Sequence, residues 1–395
     1  MSIAHLWTNS QYKSIRDGCG GLPVTAQHEP NCAARATRNY PEEAWWVAGF
    51  SEEISGTPIR RMLLDHAVVL YRGASGRVVA LEDRCVHRWA PLSMGRPAGD
   101  DIVCPYHGFR FGPDGQCVHV PTQRDIPGKA KVRAFEVRES APFVWIWMGR
   151  GEPAEALPAT IDWAEDPRWL TMGAALPVDC NYMLIQENVL DLTHFGYLHA
   201  TTFQQPGWTA PPSEVRTDAG RVGYRQHFTG IRLAPFQAGP TGIGPDKDVE
   251  RTDWGWFMSP AIHVAGIDIV DPSPGAGRRA AFSSRIVHAT TPISPTRSHY
   301  WWFFAQDYAL DDAQVARDVR AIVDATFEED KRLLEVIQET ISTDVRRDQA
   351  VEVSVKADQP GLKARLMLHK MLRPAAQALS SPDMQQPAAA RSPRE

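Results

Sequence analysis

Between Gln186 and His199 the chain sets Glu187, Asp191, His194 and His199 among Val189, Leu190, Leu192, Phe195 and Leu198. Burying two carboxylates and two imidazoles is costly unless hydrogen bonds, partner charges or a metal ion offset the lost hydration. On an ideal helix, at about 100° per residue, Asp191 and His194 lie about 60° apart, whereas His194 and His199 lie about 140° apart. Both histidines can face one ion only if the helix ends or bulges between them, and Gly196 is the residue suited to such an irregularity. Taken alone, the stretch reads equally well as a helix with core histidines. Asp191 looks at first like a third ligand.

A second set of donors is more specific. Cys85-Val86-His87 is followed, after a loop, by Cys104-Pro105-Tyr106-His107. Two thiolates and two imidazoles in this order suit a Rieske [2Fe-2S] centre, in which cysteines hold one iron and histidines the other. A Cys2His2 zinc site is the alternative, but zinc fingers group like ligands, whereas each pair here mixes them. Gly95, Gly99, Pro105 and Gly108 allow tight loops whose amides can point at bridging sulfides. Cys117 and His119 follow closely and read as ordinary strand or turn residues, because four ligand positions are already filled.

These donors need elements to hold them. With 395 residues the chain exceeds the usual size of one core, so two domains are expected. A net charge of -5 gives no basic field for nucleic acid or for a membrane surface. No apolar run is long enough to span a bilayer, and the N-terminus lacks the order of a secretory signal, which points to the cytoplasm. Six cysteines are too few for a disulfide framework.

Residues 1–40 read as an irregular leader containing Cys19 and Cys32, both taken as unpaired. From Trp45 the chain alternates β-branched or aromatic runs with glycine turns: Trp45–Ala48, Ala67–Arg72, Arg77–Leu81 and Phe143–Met148. That pattern predicts an all-β domain over 41–150, carrying the two Cys/His loops. Residues 151–372 are enough for another domain, and 373–395, rich in Ala, Ser, Pro and Gln, read as a disordered tail.

In the second domain, the runs Trp254–Met258, Ile267–Val270, Ala281–His288 and Tyr300–Phe304 predict a curved antiparallel sheet packed by helices, with a cavity beside it. The whole is α+β. His263, His288, Trp254, Trp256 and Arg285 are candidate cavity residues, each also explicable as packing. From Asp311 to Ile341 a helix is predicted, with Val319, Val323, Phe327, Leu334, Ile337 and Ile341 on one face. Asp330 falls inside that stripe, while Glu328, Glu329 and Lys331 point elsewhere and read as solvated charges. A buried carboxylate there is either paired with an arginine or completes a two-His-one-carboxylate iron site with the histidines of the opening stretch.

The motif Glu187-Asn188-x-x-Asp191-x-x-His194-x4-His199, combined with the Cys/His loops, resembles that of the Rieske non-haem iron oxygenases. Ala90 and Tyr106 stand where Rieske proteins of cytochrome complexes carry an extra disulfide, which places the resemblance in the oxygenase branch. It is most similar to the vanillate O-demethylase and dicamba monooxygenase group, on the strength of Ala44–Ala48, Cys104–Phe111, His288–Pro292, His299–Trp302 and Phe327–Lys331. Two departures are Val86, where proline is common, and the long leader.

The resemblance implies that Cys85, His87, Cys104 and His107 hold a [2Fe-2S] cluster and that His194, His199 and Asp330 hold a mononuclear Fe(II). It implies that Asp191 is not a ligand but an electron-transfer bridge to the cluster of a neighbouring subunit, and hence a head-to-tail ring, most simply a homotrimer. The implied activity is that of an oxygenase component using O2 to demethylate or hydroxylate a small aromatic compound, with O-demethylation favoured. Ring or methyl hydroxylation, N-demethylation and a plain Rieske electron carrier are the alternatives. Because no Gly-x-Gly-x-x-Gly fingerprint is present, NAD(P)H would act only through a separate reductase or ferredoxin.

Overall fold

A computed structural model describes residues 40–204, 208–346 and 351–372. Cys19, Cys32, the rest of the leader and the tail lie outside the described residues. The first half is all β: β1 (Trp45–Phe50), β2 (Ile59–Leu63), β3 (His66–Arg72), β4 (Val78–Glu82) and β5 (Arg96–Ala98) come first. They are followed by β6 (Asp101–Val103), β7 (Arg110–Phe111), β8 (Cys117–His119), β9 (Val137–Ser140) and β10 (Phe143–Trp147). Three antiparallel sheets result, ordered β1-β10-β9, β2-β3-β4 and β5-β6-β7-β8. The apolar runs expected to be strands form β1, β3, β4 and β10, and the Cys/His pairs sit on loops between short strands.

The second half contains β11 (Leu170–Val178), α1 (Tyr182–Leu190), β12 (Glu214–Asp218), β13 (Arg221–Ile231) and α2 (Pro235–Thr241). It continues with β14 (Val249–Ser259), β15 (Ile262–Val270), β16 (Ala281–Ser294), β17 (Arg297–Gln306), α3 (Ala313–Thr343) and α4 (Gln359–Leu372). Its seven strands form one antiparallel sheet in the order β11-β17-β16-β15-β14-β13-β12. Successive side chains of a strand point to opposite faces, so this sheet serves two cores. Tyr300, Trp302 and Phe304 of β17 pack with Phe327 and Leu334 of α3, whereas Trp301 and Phe303 pack with Trp45, Phe50 and Phe143 of the first half. The sheet therefore stands as a wall between the β1–β10 strands and helix α3. Polar contacts fasten the wall to the first half: Thr291 Oγ1 donates to the Val47 carbonyl at 2.7 Å, and Leu64 N to the Pro292 carbonyl at 2.7 Å.

Helix α1 starts where the Asn181 side chain accepts from Met183 N at 2.7 Å, an N-cap. Glu187 on this helix is largely buried, and it is α4 that offsets the cost. Arg365 of α4 grips both Glu187 oxygens through Nε and Nη2, with only 9% and 15% of the two side chains exposed. Burial pushes the Glu187 carboxyl up, against the pull of Arg365. Arg365→Ala would strand that carboxylate, and a loss of about 3–5 kcal/mol is expected in denaturant unfolding, as for other broken buried pairs. An unchanged midpoint would show that water reaches Glu187 instead.

Helix α3 is capped by Asp312, whose Oδ1 accepts from Gln314 N and Val315 N at 3.0 Å each. It spans nearly the range its periodicity predicts, and it buries Val319, Phe327, Asp330 and Leu334 on one face. Among the described residues no helix is long and apolar enough to cross a membrane.

Candidate metal centres and active site

The helix break in the opening stretch comes earlier than expected. Helix α1 ends at Leu190, Asp191 adopts an extended conformation (φ −122°, ψ 101°), and a 3-10 turn covers Leu192–Gly196. Asp191 rather than Gly196 is thus the main irregularity. It closes α1 with its backbone and starts the next turn with its side chain, which accepts from Thr193 N at 2.9 Å. Gly196 ends the turn in a tight place, since a Cβ there would lie 2.7 Å from the Trp208 carbonyl oxygen.

This break, with α3 alongside, brings His194, His199 and Asp330 together, and their ligand atoms lie within 4.8 Å of one another. Asp330 Oδ1 is 3.2 Å from His199 Nε2 and 3.6 Å from His194 Nε2. His199 and Asp330 are buried. The opposite ring nitrogens identify the tautomers. His194 Nδ1 lies 2.6 Å from the Asp191 carbonyl oxygen and His199 Nδ1 2.7 Å from Glu329 Oε2; both partners are acceptors, so both Nδ1 atoms carry the proton. Each Nε2 is then a bare lone pair. These two lone pairs and the Asp330 Oδ1 converge, buried and without a hydrogen bond among the described residues. Three mutually repelling acceptors at one point fit a cation, and two imidazoles with one carboxylate suit non-haem Fe(II) with open positions.

The protonation tendencies agree with that electrostatic picture. Burial pushes the His194 imidazole down in pKa. Burial opposes charge on His199 too, but the Asp330 and Glu329 carboxylates outweigh it and raise its pKa. Negative potential from two carboxylates at this point favours positive charge there, whether proton or metal.

Glu329 is the residue that sequence reasoning missed. It was assigned to solvent beside Glu328 and Lys331, yet one oxygen accepts from His199 and the other from the Thr202 hydroxyl. The signal lay in its place next to Asp330, but which side chain it meets depends on the fold of 191–203. Glu329→Gln keeps the size but removes the charge that polarises His199. Iron affinity is expected to fall about 10–100-fold, measured by competition with a chelator; unchanged affinity would reduce Glu329 to packing.

The other four donors stand on two neighbouring loops of the first half, Cys85 beside Cys104 and His87 beside His107. Cys85 and Cys104 are buried, His87 and His107 are exposed, and the two imidazole centroids are 4.5 Å apart. The two loops share one design. Cys85 N donates to the Ala90 carbonyl and Trp89 N to the Cys85 carbonyl; Cys104 N donates to Phe109 and Gly108 N to Cys104. The fifth residue of each is left-handed, Trp89 at φ 63° and Gly108 at φ 72°. Glycine was expected at such positions, and only the second loop has it; Gly95 and Gly99 lie outside both. Burial, and then the adjoining Cys104, push the Cys85 thiol up to about 11, while backbone amides of His87 and Arg88 point at its sulfur. Two buried thiols beside two outward imidazoles fit a mixed-ligand [2Fe-2S] cluster. Cys117 and His119 lie on β8, as expected of strand residues, and Cys117 packs into the same buried cluster as Cys85 and Cys104.

Beside the His194/His199/Asp330 site a cavity opens, of about 890 Å³ including its mouth. Val189, Leu192, Phe195, Phe203, Phe236 and Phe327 make most of its wall apolar. Of the five proposed lining residues, only His288 offers its side chain. His263 is sealed behind it, fully buried, with the rings stacked 5.5 Å apart. Trp254 and Arg285 pair in register across Gly266, on the opposite face of the sheet, and Trp256 shares the face of Trp254.

Taken together, a loop-borne mixed Cys/His site and a buried two-His-one-carboxylate site beside an apolar cavity define a Rieske oxygenase component. Comparison with known proteins gives the family. Residues 44–136 match the Rieske [2Fe-2S] domain and residues 178–374 the vanillate O-demethylase oxygenase C-terminal domain. The chain is 32% identical over 340 residues to the toluene-4-sulfonate monooxygenase system iron-sulfur subunit TsaM1 of Comamonas testosteroni, covering 83% of this chain and 96% of that one. It is 33% identical over 310 residues to the dicamba O-demethylase oxygenase component of Stenotrophomonas maltophilia, covering 76% and 88%. The crystal structure of dicamba monooxygenase bound to 3,6-dichlorosalicylic acid matches with a TM-score of 0.75 at 28% identity, covering 84% and 97%; the same enzyme has also been solved with non-haem iron. The chain belongs to the Rieske non-haem iron oxygenases, as an oxidoreductase whose cofactors are a [2Fe-2S] cluster and iron.

Proposed function

We propose that the protein is the oxygenase component of a system that O-demethylates a small aromatic ether. Ring or methyl hydroxylation and N-demethylation are the alternatives within the same chemistry. The observation that carries the reading is the convergence of the His194 and His199 Nε2 lone pairs on Asp330 Oδ1 at the edge of an apolar cavity. Cys85, His87, Cys104 and His107 would hold the cluster, and His194, His199 and Asp330 the iron. When bound, these groups supply single electrons and the activation of dioxygen, which no side chain provides.

The chain's own residues do the rest. The phenylalanines of the wall exclude water and hold an aromatic ring, and Asp191 O and Glu329 lock both imidazoles with Nε2 facing the metal. For an ether the balance is R–O–CH3 + O2 + 2 e⁻ + 2 H⁺ → R–OH + CH2O + H2O. The methyl carbon is oxidised, and the hydroxylated ether collapses to a phenol and formaldehyde. Names of relatives that include vanillate and dicamba O-demethylases support this choice. The electrons would come from NAD(P)H through a separate reductase or ferredoxin.

In this proposal residues 41–150 form the cluster domain, 151–372 the catalytic domain, and the protein works in the cytoplasm as a homotrimer. The wall of β11–β17 separates the first half from α3 within one chain, so a route between subunits avoids it. The tip of the first half presents Trp89, 72% exposed, and Tyr106, 64% exposed, and Tyr197, 88% exposed, lies close in sequence to Asp191. Such aromatic surface suits burial against another copy. Asp191 would then bridge iron-bound His194 and a cluster histidine of the next subunit.

A screen of methoxylated and methylated aromatics with a surrogate reductase, scoring formaldehyde against ring-hydroxylated product, tests the reaction. Formaldehyde in step with O2 consumed is the expected result; hydroxylated product without formaldehyde would shift the assignment to hydroxylation.

A further inference from the structure

A second, smaller cavity lies between α1, α3 and the strands β11 and β17. Asn188, Val189, Phe327 and Asp330 border both cavities, so the two meet at the metal-ligating carboxylate. From there the larger one extends over β14–β16, and the smaller one over Leu176 and Val178 of β11 and Tyr300 of β17. It encloses about 240 Å³ including its mouth, against about 890 Å³ for the larger, a size that suits a diatomic molecule better than an aromatic ring. Leu176, Val178, Ile185, Val189 and Leu334 make most of its wall aliphatic. Its polar groups are few and mostly engaged. The Tyr300 hydroxyl is 2.7 Å from His288 Nδ1, and Lys331 Nζ holds both Glu335 oxygens at 2.7 and 2.8 Å. Asp330 belongs to the metal site, which leaves the Asn188 amide at the junction of the two cavities. The Lys331–Glu335 pair, about a quarter exposed, marks the solvent side, and Glu335 is anchored there by Asp179 N at 2.9 Å.

We propose that the smaller cavity is a dioxygen site, which takes O2 from solvent and holds it beside Asp330 while the aromatic substrate occupies the larger cavity. The inference goes beyond the demethylation reading and applies to hydroxylation equally, because both reactions consume O2. Dioxygen is apolar and needs no hydrogen-bond partner, whereas a water in an aliphatic pocket lacks most of the two to four partners it needs. Such a pocket therefore favours a gas over water. A ring seated over the iron fills the approach through the larger cavity, but it leaves free a second cavity that reaches the same carboxylate. Leu176 and Leu334 line only the smaller cavity, so changes there can be separated from changes in substrate binding.

Crystals of the iron-loaded holoprotein pressurised with xenon, a gas that enters dry apolar cavities, are expected to show the atom between Leu176, Ile185 and Leu334. Leu176→Phe, at a half-buried position, and Leu334→Phe, at a buried one, should each fill the space and abolish that peak. With the substrate found by the aromatic screen, whichever product it forms, KM for O2 is expected to rise about 10-fold in Leu176→Phe, while kcat at saturating O2 stays the same. Iron content and anaerobic substrate affinity should also stay the same; a role in packing alone would move those two and leave KM for O2 where it was. Ordered water in place of xenon, or an unchanged KM for O2 in a variant that has lost its xenon peak, overturns the proposal. The xenon result is read without any substrate, so a screen that yields no formaldehyde counts against demethylation and not against the dioxygen site.

Discussion

Asp330→Ala is expected to leave the protein folded and coloured, to empty its mononuclear site of iron, and to lower oxygenation by about a thousandfold or more. Removing the carboxylate takes away the one negative ligand on which His194 and His199 converge, leaving two neutral imidazoles to hold a hard divalent cation. Loss of an outer partner alone costs about 10–100-fold in affinity, and loss of a ligand exceeds that. The Cys85/Cys104 tip lies on the other side of the sheet wall, so its visible spectrum should not change. Metal analysis beside the absorbance spectrum checks both halves. Oxygenation at the wild-type rate would remove Asp330 from the iron site and revive the reading of the chain as an electron carrier.

Asp191→Asn is expected to keep both metal sites filled and slow electron delivery to the iron by about a hundredfold or more. The structure separates the two roles of this residue. His194 is oriented by the Asp191 backbone carbonyl, which the substitution leaves in place. The carboxylate uses Oδ1 for Thr193 N, and its other oxygen has no partner among the described residues. That oxygen can accept a proton-bearing histidine nitrogen from the next subunit, whereas an amide nitrogen turned to the same place would oppose donor to donor. Single-turnover kinetics with prereduced cluster measures the step directly. Reduction at the wild-type rate would sink the bridge, and with it the main reason for a head-to-tail trimer.

Local chemistry made much of this site legible in advance. Cys85, His87, Cys104 and His107 stand at a spacing that few sites other than a mixed-ligand cluster use. Asp330 betrayed itself by breaking the apolar face of a helix whose period is plain. Glu329 did not, because its partner His199 comes from a turn far away in sequence, and a charge beside a buried one looks like its solvated neighbours. Arg285 and His288 show the same limit on strands. They are three residues apart, so an odd number of steps sends their side chains to opposite faces, yet which face carried the cavity could not be read from alternation alone.

By itself the sequence determined which cysteines, histidines and carboxylate stand out as candidate donors, the α+β order of elements and the family, because residue type, strand period and helix period are local properties. Only the tertiary structure decided where the metal-ligating stretch breaks, that Glu187 is offset by Arg365 rather than by a metal, that Glu329 supports His199, and that His288 alone faces the cavity from among the candidates. Each of these depends on which distant surface a side chain meets. Burial turns such meetings into large energies, and burial is a property of the packed whole.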